Sequence, residues 1–364
     1  MYTGRNFTRR AFQCGLYEAQ DVLSAVDDVE MFHLETEKAY DIKESITRRL
    51  IFHDITKKLV FVNCGLKPVY LRKEYELFLA VVGTMKDLRH INAVKGWKDH
   101  CKTSVCWIDE LWASHVPQYI SWLPLLKKFD YICVGLSNSV AALSAAVGRQ
   151  CYYVPGAVDA VRFSPYPDPT DKVIDVYSIG RRNEAIHQVL LRLSELKKSF
   201  YVYDTFEGSM NQTLDCRQHR LMYADILKRS CYFIVAPAKM KETIDTRSQT
   251  EIGYRYYEGA AAGAVLIGQK PDCESYNTFF NWPDAVVEVK PDGSDTMEVI
   301  SRLDVAPERL LEISRRNAME VLLRHDWVYR WKQIYQMAGI KPGPSMEARE
   351  HYLKMLAAQI PITC

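Results

Sequence analysis

The sequence lacks the long apolar runs that membrane-spanning proteins contain. No stretch approaches the roughly 18 consecutive apolar residues of a transmembrane helix, although 48% of the 364 residues are hydrophobic. No apolar segment of secretory length follows the basic N-terminal stretch MYTGRNFTRRAF either. We therefore expect neither a transmembrane segment nor a signal peptide.

Paired cysteine motifs and a large charge excess are also lacking. The ten cysteines are scattered without a C-x-x-C pair, so neither a zinc ribbon nor a disulfide scaffold is indicated. This pattern predicts reduced, mostly buried thiols in a cytoplasmic protein. The formal net charge is only +2, whereas a dedicated nucleic-acid binder usually carries a strong basic excess. We therefore expect no nucleic-acid partner.

The sequence does contain a regular alternation of β-rich runs and helical stretches. The β-rich runs are Leu59–Asn63, Ser104–Ile108, Tyr131–Gly135, Cys151–Val154, Ile174–Ile179, Phe200–Tyr203, Cys231–Ala236 and Ala264–Ile267. Strands that alternate with helices predict an α/β fold, with parallel sheets covered by helices on both faces.

A proline-rich segment, Arg162–Lys172, divides the chain. Its sequence, RFSPYPDPTDK, suits a linker better than a strand or a helix, because proline lacks an N–H group and restricts the residue before it. We predict an N-terminal domain of residues 1–160, a C-terminal domain of residues 161–330 and a helical extension of residues 331–364.

The N-terminal domain departs from a regular α/β pattern. Its first helical pattern, Arg9–Val26, precedes the first clear strand, Val29–Leu34. An opening strand is therefore either missing or contained in the short segment Met1–Thr8.

The chain closes with two helical patterns, Asp304–Met337 and Ser345–Ile360, the first with a possible break near Asp326. Within the first pattern, large aromatic residues recur at i, i+4 and i+8: Trp327, Trp331 and Tyr335. A stripe of this kind is typical of packing rather than of chemistry.

The most informative stretch is Asp245–Gly268, which connects two predicted strands through a loop and a helix. Ser248, Gln249 or Thr250 is expected to cap the helix, and Gly263 is the residue type that follows a helix end. This places the helix N-terminus at the carboxyl edge of a parallel sheet, where open α/β sheets bind their ligands.

Several groups in this stretch suit a phosphorylated ligand. A helix N-terminus offers unpaired N–H groups and a partial positive charge to a diphosphate, and Arg247 and Arg255 add full charges. Glu251, Arg255 and Glu258 are spaced at i, i+4 and i+7, so they are expected to share a helix face. Glu258 can accept hydrogen bonds from the hydroxyls of a ribose. On spacing alone, a surface helix with a stripe of ion pairs fits equally well.

The run Arg255–Leu266, RYYEGAAAGAVL, resembles the signature of the group-1 glycosyltransferase C-terminal domain, including its spore-coat CgeB-like branch. Gly253 and Gly263, five residues on either side of Glu258, also match. The family has a second glutamate eight residues before the ribose-binding one. Here that position is Thr250, and Glu251 is one residue late, which is a departure from the pattern.

Two further segments resemble the same family, and the likeness covers roughly Val154–Trp331. Tyr153–Pro165 resembles the crossing between the two domains. Asp175–Arg182 resembles the first strand of the nucleotide domain, with Gly180 and Arg181 where the family has a Gly-Arg pair that faces the donor phosphates. A lysine usual in the family is missing from residues 183–187, and Arg182 or Arg247 could replace it.

The resemblance implies the GT-B fold: two Rossmann-like domains that face a cleft, with C-terminal helices that possibly cross back to the first domain. It implies transfer of a sugar from a nucleoside-diphosphate donor, UDP or GDP, to an acceptor hydroxyl, with retained configuration. No D-x-D motif is present, so we expect no metal and no cofactor, with charge neutralised by arginines and the helix dipole. The residues predicted to bind the donor are Gly180, Arg181, Arg182, Arg247, Thr250, Arg255 and Glu258.

The acceptor is expected to be a carbohydrate, a lipid-linked compound or a protein in polysaccharide or glycoconjugate biosynthesis. Peripheral contact with a membrane stays open. The segment Trp107–His115 follows a predicted strand and should face the cleft, where acidic groups and a histidine can orient or deprotonate a hydroxyl. The residues predicted to act in catalysis are Asp109, Glu110, His115 and Glu251, and His53 with Asp54 form a further candidate pair.

Two other functions are compatible with the same residues. A nucleotide-sugar epimerase on this fold would bind the same donor and turn it over without an acceptor, since fold alone does not define function. A non-catalytic relative would keep nucleotide binding and lose transfer, and the displaced Glu251 and the missing lysine leave room for it.

Overall fold

The structure is a computed structural model that describes residues 1–5, 7, 10–52, 57–205 and 212–361. The candidate pair His53 and Asp54 lies outside the described residues. The N-terminal half, residues 1–163, contains strands β1 (Tyr2–Thr3), β2 (Phe32–His33), β3 (Val69–Tyr70), β4 (Tyr75–Val82), β5 (Val94–Lys95), β6 (Cys101–Ile108), β7 (Tyr131–Val134) and β8 (Tyr152–Tyr153). Its helices are α1 (Cys14–Val26), α2 (Tyr40–Phe52), α3 (Leu123–Leu126), α4 (Val140–Val147) and α5 (Ala160–Phe163).

Within the described residues, six of these strands form a parallel sheet in the order β2-β1-β4-β6-β7-β8. The opening strand is present and lies in the segment Met1–Thr8, where Tyr2 pairs with both Phe32 and Ala80. It is only two residues long, so it is too short to show a periodic pattern. The predicted strand Val29–Leu34 reduces to Phe32–His33.

In this half one strand prediction was wrong and one long strand was not predicted. Leu59–Asn63 does not form a strand, because a 3-10 helix occupies Lys57–Phe61. A short apolar run does not distinguish a strand from another buried segment. The strand β4, by contrast, was missed, although it pairs with β6 along its whole length. The charged run LRKEYE around its start hides the buried residues that follow.

The C-terminal half, residues 174–324, contains strands β9 (Ile174–Ser178), β10 (Tyr201–Tyr203), β11 (Ser230–Val235), β12 (Val265–Gly268) and β13 (Val287–Glu288). Its helices are α6 (Glu184–Glu195), α7 (Cys216–Lys228), α8 (Thr243–Thr246), α9 (Tyr254–Ala261), α10 (Glu274–Phe279), α11 (Thr296–Asp304) and α12 (Pro307–Arg324). The strands form a second parallel sheet in the order β10-β9-β11-β12-β13. The predicted α/β class with two parallel sheets is confirmed.

The last helices, α13 (Trp327–Ala338) and α14 (Pro344–Ala358), return to the N-terminal half. The predicted break lies at Asp326, which caps α13 by accepting a hydrogen bond from Val328 N. Trp331 donates from Nε1 to Ala19 O in α1 at 2.9 Å, and both Trp327 and Trp331 pack edge-on against Trp107 of β6. The aromatic stripe is therefore packing, as expected, and the C-terminal helices cross back.

Among the described residues, no helix combines the length and the apolar character needed to cross a bilayer. The domain limits at residues 160 and 330 stay a prediction.

Candidate functional site

The strand order of the second sheet defines where a ligand would bind. The chain runs outward from β9 to β10 on one side and from β11 to β12 on the other. The loops that leave β9 and β11 therefore diverge and open a crevice at their carboxyl ends, which is the usual ligand position in such sheets. Gly180 and Arg181 follow β9, and Lys239 follows β11.

Helix α9 begins later than the sequence suggested. Its N-cap is Gly253, which makes no side-chain capping bond, so the prediction of a cap at Ser248, Gln249 or Thr250 was wrong. Glu251 precedes the helix and shares no helix face with Arg255 and Glu258. The uncapped N-terminus leaves backbone N–H groups available to an anion.

The end of α9 agrees with the prediction, since Gly263 follows the helix with a φ of +62°. The helix lies close on the sheet because Gly259 has no side chain. A Cβ atom at that position would lie 2.5 Å from Phe233 Cδ1 and 2.6 Å from Leu266 Cδ2. This contact sets the height of the helix above β11 and β12.

Arg255 lies over the loop that leaves β9. Its Nη1 donates to the carbonyl oxygen of Arg181, and a Cβ atom on Gly180 would lie 2.6 Å from its Nη2. Gly180 is therefore needed both for its φ of +67° and for this close approach. No carboxylate of the described residues lies within ion-pairing distance of the half-buried Arg255.

Arg181 and Lys239 converge on one carboxylate, that of Glu242. Arg181 Nη2 lies 2.9 Å from Glu242 Oε1, and Lys239 Nζ lies 3.6 Å from Glu242 Oε2. Lys239 has a strained φ of +51°, which is uncommon outside functional or tightly packed positions. Lys239 was not among the predicted site residues, although its position just after β11 was a signal that could have identified it.

Asp204, which follows β10, binds two other groups of the β9 loop, the backbone N–H of Gly180 and the side chain of Arg182. Gly180 N donates to both of its carboxylate oxygens, at 3.1 and 3.0 Å, and Arg182 forms an ion pair with it. Arg247 is exposed, with a φ of +51° and no carboxylate of the described residues within ion-pairing distance. Thr250 donates from Oγ1 to Asp272 O at 2.6 Å.

Glu258 is 5% exposed and lies in a buried network. Arg220 Nη1 pairs with its Oε1, and Tyr223 OH donates to its Oε2 at 3.0 Å. Arg220 also donates to both carboxylate oxygens of Glu18 in α1, at 2.8 and 3.0 Å. Both oxygens of the predicted ribose ligand thus already have partners, and its role toward a ribose stays a prediction.

Glu251 joins the two halves of the molecule. It is 1% exposed, and its carboxylate accepts hydrogen bonds from Ser137 N, Ser137 Oγ and Asn138 N at 2.9 to 3.0 Å. These donors lie in the loop after β7. The geometry indicates a positioning role, and a catalytic role for Glu251 stays a prediction.

The predicted acceptor residues lie in the loop after β6, and each contacts the C-terminal half. Tyr254 OH donates to Asp109 Oδ1 at 2.5 Å, Lys239 Nζ lies 3.1 Å from Glu110 Oε1, and His115 Nε2 lies 2.8 Å from Asp245 Oδ1.

The environments of Asp109 and of Asp245, the partner of His115, differ. Burial raises the pKa of Asp109 to about 7, and the hydrogen bond from Tyr254 opposes this shift. The hydrogen bond from His115 lowers the pKa of Asp245. The proton affinity of Asp109 therefore suits proton transfer near neutral pH.

The described residues contain no group of three or more His, Cys, Asp or Glu side chains arranged to hold a metal ion. A metal-independent reaction stays a prediction.

Comparisons with known proteins bear on the fold and on one segment of the chain. Residues 193–336 match the family described as glycosyl transferase-like. An alpha-glucosyltransferase solved with UDP-glucose and DNA containing an abasic site aligns at a TM-score of 0.50, with 14% identity over 91% of this chain and 98% of that one. An alpha-glucosyltransferase solved with UDP and a 13-mer DNA containing a HMU base aligns at 0.53, with 14% identity over 93% and 98%. A comparison with curated protein sequences returned no match.

The structural likeness confirms the predicted GT-B arrangement of two parallel α/β sheets, and at this identity it shows the fold alone. The matched segment runs from the end of α6 into α13, so it includes α9 and the β11 loop. The CgeB-like branch stays a prediction.

Proposed function

We propose that this chain, which has the GT-B fold and a glycosyltransferase-like segment over residues 193–336, transfers a sugar from a nucleoside-diphosphate donor to an acceptor hydroxyl. The observation that carries the proposal is the convergence of Arg181, Lys239 and Arg255 beside the uncapped N-terminus of α9. Cations and free backbone N–H groups at one place suit a diphosphate.

In the structure, carboxylates of the chain itself occupy this place. Glu242 pairs with Arg181 and Lys239, and Asp204 accepts from Gly180 N. A donor diphosphate carries more negative charge than one carboxylate and would displace Glu242 from the two cations. Glu242 then acts as an internal anion that keeps the site ordered before the donor binds.

The same groups account for the chemistry of transfer. Negative charge grows on the diphosphate as the glycosidic bond breaks, and preorganised cations stabilise that charge in the transition state. Asp109 lies at the contact between the halves, where burial raises its pKa to about 7, so it can accept the proton of the acceptor hydroxyl near neutral pH. We further propose that the reaction needs no metal and retains the anomeric configuration.

The acceptor is proposed to be a carbohydrate, a lipid-linked saccharide or a protein, used in the cytoplasm. A net charge of only +2 argues against a general affinity for nucleic acid. Because the similar alpha-glucosyltransferase structures contain DNA, duplex DNA belongs in the acceptor panel, and transfer to it would overturn this part of the proposal.

The first experiment measures melting temperatures with UDP, GDP, ADP and dTDP, since a ligand of the native state raises them. We expect one nucleotide to stabilise the wild type. Lys239→Gln should weaken its affinity roughly tenfold, the equivalent of about 1.4 kcal/mol, whereas Glu242→Gln should strengthen it because a competing carboxylate is lost. Glu274→Gln, an exposed acid on α10, is the control and should change nothing.

The opposite signs make this test selective. Lys239→Gln and Glu242→Gln break the same ion pair, so a purely structural role would shift both variants in the same direction. No stabilisation by any nucleotide in folded wild type would overturn the donor site.

A second candidate is a relative that binds the nucleotide and transfers nothing. The observation in its favour is the burial of Glu258, whose carboxylate is engaged by Arg220 and Tyr223. Nucleotide binding without turnover of any UDP- or GDP-sugar, with or without acceptors, would favour this candidate. Donor turnover without an acceptor would instead favour an epimerase.

A further inference from the structure

Two cysteines meet where the N-terminal and C-terminal halves pack together, and neither is among the groups that the proposed function uses. Cys14 is the first residue of α1, and Cys216 is the first residue of α7. Both are buried, with exposed fractions of 0% and 8%, and together with Tyr17 they form a separate small cluster.

Both sulfur atoms lie against the hydroxyl group of Thr213. Its Oγ1 is 3.6 Å from Cys216 Sγ and 3.8 Å from Cys14 Sγ, so one threonine side chain contacts both cysteines. The helices that carry them are held together along their length. Arg217 Nη2 lies 2.8 Å from Asp21 and Arg220 Nε lies 2.8 Å from Glu18, so the sulfur atoms cannot separate unless these ion pairs break.

The surroundings of Cys216 favour its thiolate. It begins a helix, where the backbone N–H groups and the dipole stabilise negative charge. The hydrogen bond from Cys14, followed by that from Thr213 and the charge of Arg5, lowers the pKa of Cys216 to about 6 against the effect of burial. Burial and the same contact raise the pKa of Cys14. One sulfur is thus a nucleophile at neutral pH, and the other is a protonated thiol beside it.

We propose that Cys14 and Cys216 form a peroxide-sensitive thiol pair that closes to a disulfide between the two halves. Cys216 thiolate attacks hydrogen peroxide, which leaves a sulfenic acid on Cys216 and releases water after protonation. The Cys14 sulfur then attacks the Cys216 sulfur, and the sulfenic hydroxyl leaves as water with the Cys14 proton. In sum, two thiols lose two electrons to one peroxide, and two waters form.

The disulfide would join α1 to α7 covalently. Helix α1 belongs to the N-terminal half and α7 to the C-terminal half. The bond would therefore restrict relative movement of the two halves, which a transferase needs for donor entry and release. Reduction by a thiol restores the free pair.

The test uses the full-length protein treated with hydrogen peroxide, blocked with iodoacetamide and digested without reductant. We expect a peptide that links Cys14 to Cys216, a loss of two hydrogens from the intact mass, a higher melting temperature and full reversal by dithiothreitol. Cys14→Ser and Cys216→Ser should each abolish the cross-link, whereas Cys273→Ser, which changes another buried cysteine, should leave it.

Two results would overturn the proposal. One is oxidation of Cys216 to sulfinic acid with Cys14 still free, and the other is equal alkylation of both before and after peroxide. If the serine variants fail to fold, the peptide map of the wild type still shows whether Cys14 and Cys216 become cross-linked, because that measurement needs no variant. Nucleotide binding is not part of the readout, so failure here leaves the donor site untouched.

Discussion

The most consequential residue contacts are the buried charges that link α1, α7 and α9. Arg220 is only 3% exposed, and its guanidinium group lies between the carboxylates of Glu18 and Glu258. Two buried carboxylates that face one cation depend on it strongly, because an unpaired buried charge is costly. This arrangement fixes the position of the Glu258 carboxylate through Arg220 and Tyr223.

Arg220→Ala should destabilise the protein by about 3–5 kcal/mol, since it leaves two buried carboxylates without a partner. Urea unfolding measures the change. The control is Arg217→Ala, one turn earlier on α7, whose side chain is 67% exposed in its pair with Asp21. That pair is worth about 1 kcal/mol or less. Equal losses in the two variants would show that the buried network contributes no more than a surface pair.

Asp109 makes the stability of the protein depend on pH. Burial raises its pKa to about 7 in the folded state, whereas an unfolded chain ionises it near pH 4. Between these values the folded state holds a proton that the unfolded state has lost, so this residue lowers the free energy of unfolding as the pH rises.

Asp109→Asn should remove this pH-dependent fall in the free energy of unfolding. The free energy of unfolding of the variant, relative to wild type, should rise by more than about 1.4 kcal/mol between pH 4 and pH 7, the equivalent of one pKa unit. Urea unfolding at a series of pH values measures it. In Tyr254→Phe, which removes the opposing hydrogen bond, the pH effect should grow. A difference that is flat across this range would contradict the assignment.

At the scale of elements, the position of α9 on the second sheet decides where its N-terminus points. Gly259 contacts the sheet at distances that exclude a Cβ atom, and Gly180 makes room for Arg255 at the opposite end of the site. The helix is eight residues long, so its geometry depends on this packing more than on its own propensity. The anion-binding end of α9 is therefore a product of the contact with β11 and β12.

Gly259→Ala should cost about 1–3 kcal/mol, because the new methyl group must push Phe233 or Leu266 aside. Gly15→Ala is the matched control, since Gly15 is also helical and a Cβ there meets only an ordinary contact with Tyr254 at 3.5 Å. That change should be neutral or stabilising by up to about 1 kcal/mol. Thermal and urea unfolding compare the two, and a tolerated Gly259→Ala would mean that the helix has room to rise.

At the scale of the whole molecule, the two halves are joined by polar contacts across the cleft and by the returning C-terminal helices. Glu251 bonds to the β7 loop, the β6 loop bonds to residues after β11, and Trp331 bonds to α1. These contacts bring acceptor-side and donor-side residues within reach of each other, so the site exists only when the halves are docked.

Glu251→Ala should lower the free energy of unfolding by about 1–3 kcal/mol, because it leaves the backbone N–H groups of Ser137 and Asn138 without their acceptor at a partly buried contact. The control is Glu274→Ala, an exposed acid on the nearby helix α10, which should cost less than about 0.5 kcal/mol. Urea unfolding measures both. A loss no larger than that of the control would exclude Glu251 as the link between the halves.

The sequence by itself determined the features that depend on local patterning. The alternation of strands and helices, the glycine after α9, the break at Asp326 and the aromatic stripe of α13 all follow from residues close together along the chain. Local patterning failed where an element is too short to be periodic, as in β1, or where its start is charged, as in β4.

Only the tertiary structure decided which distant side chains meet. The partners of Glu258 are Arg220 and Tyr223, and Arg220 in turn also binds Glu18. Lys239 joins Arg181 through Glu242, and Cys14 meets Cys216. None of these pairings has a periodic signature, because each depends on how two helices or two loops pack rather than on the spacing of residues within one. The physical reason is that chain neighbours set backbone conformation, whereas burial and charge pairing between distant segments set the chemistry of the site.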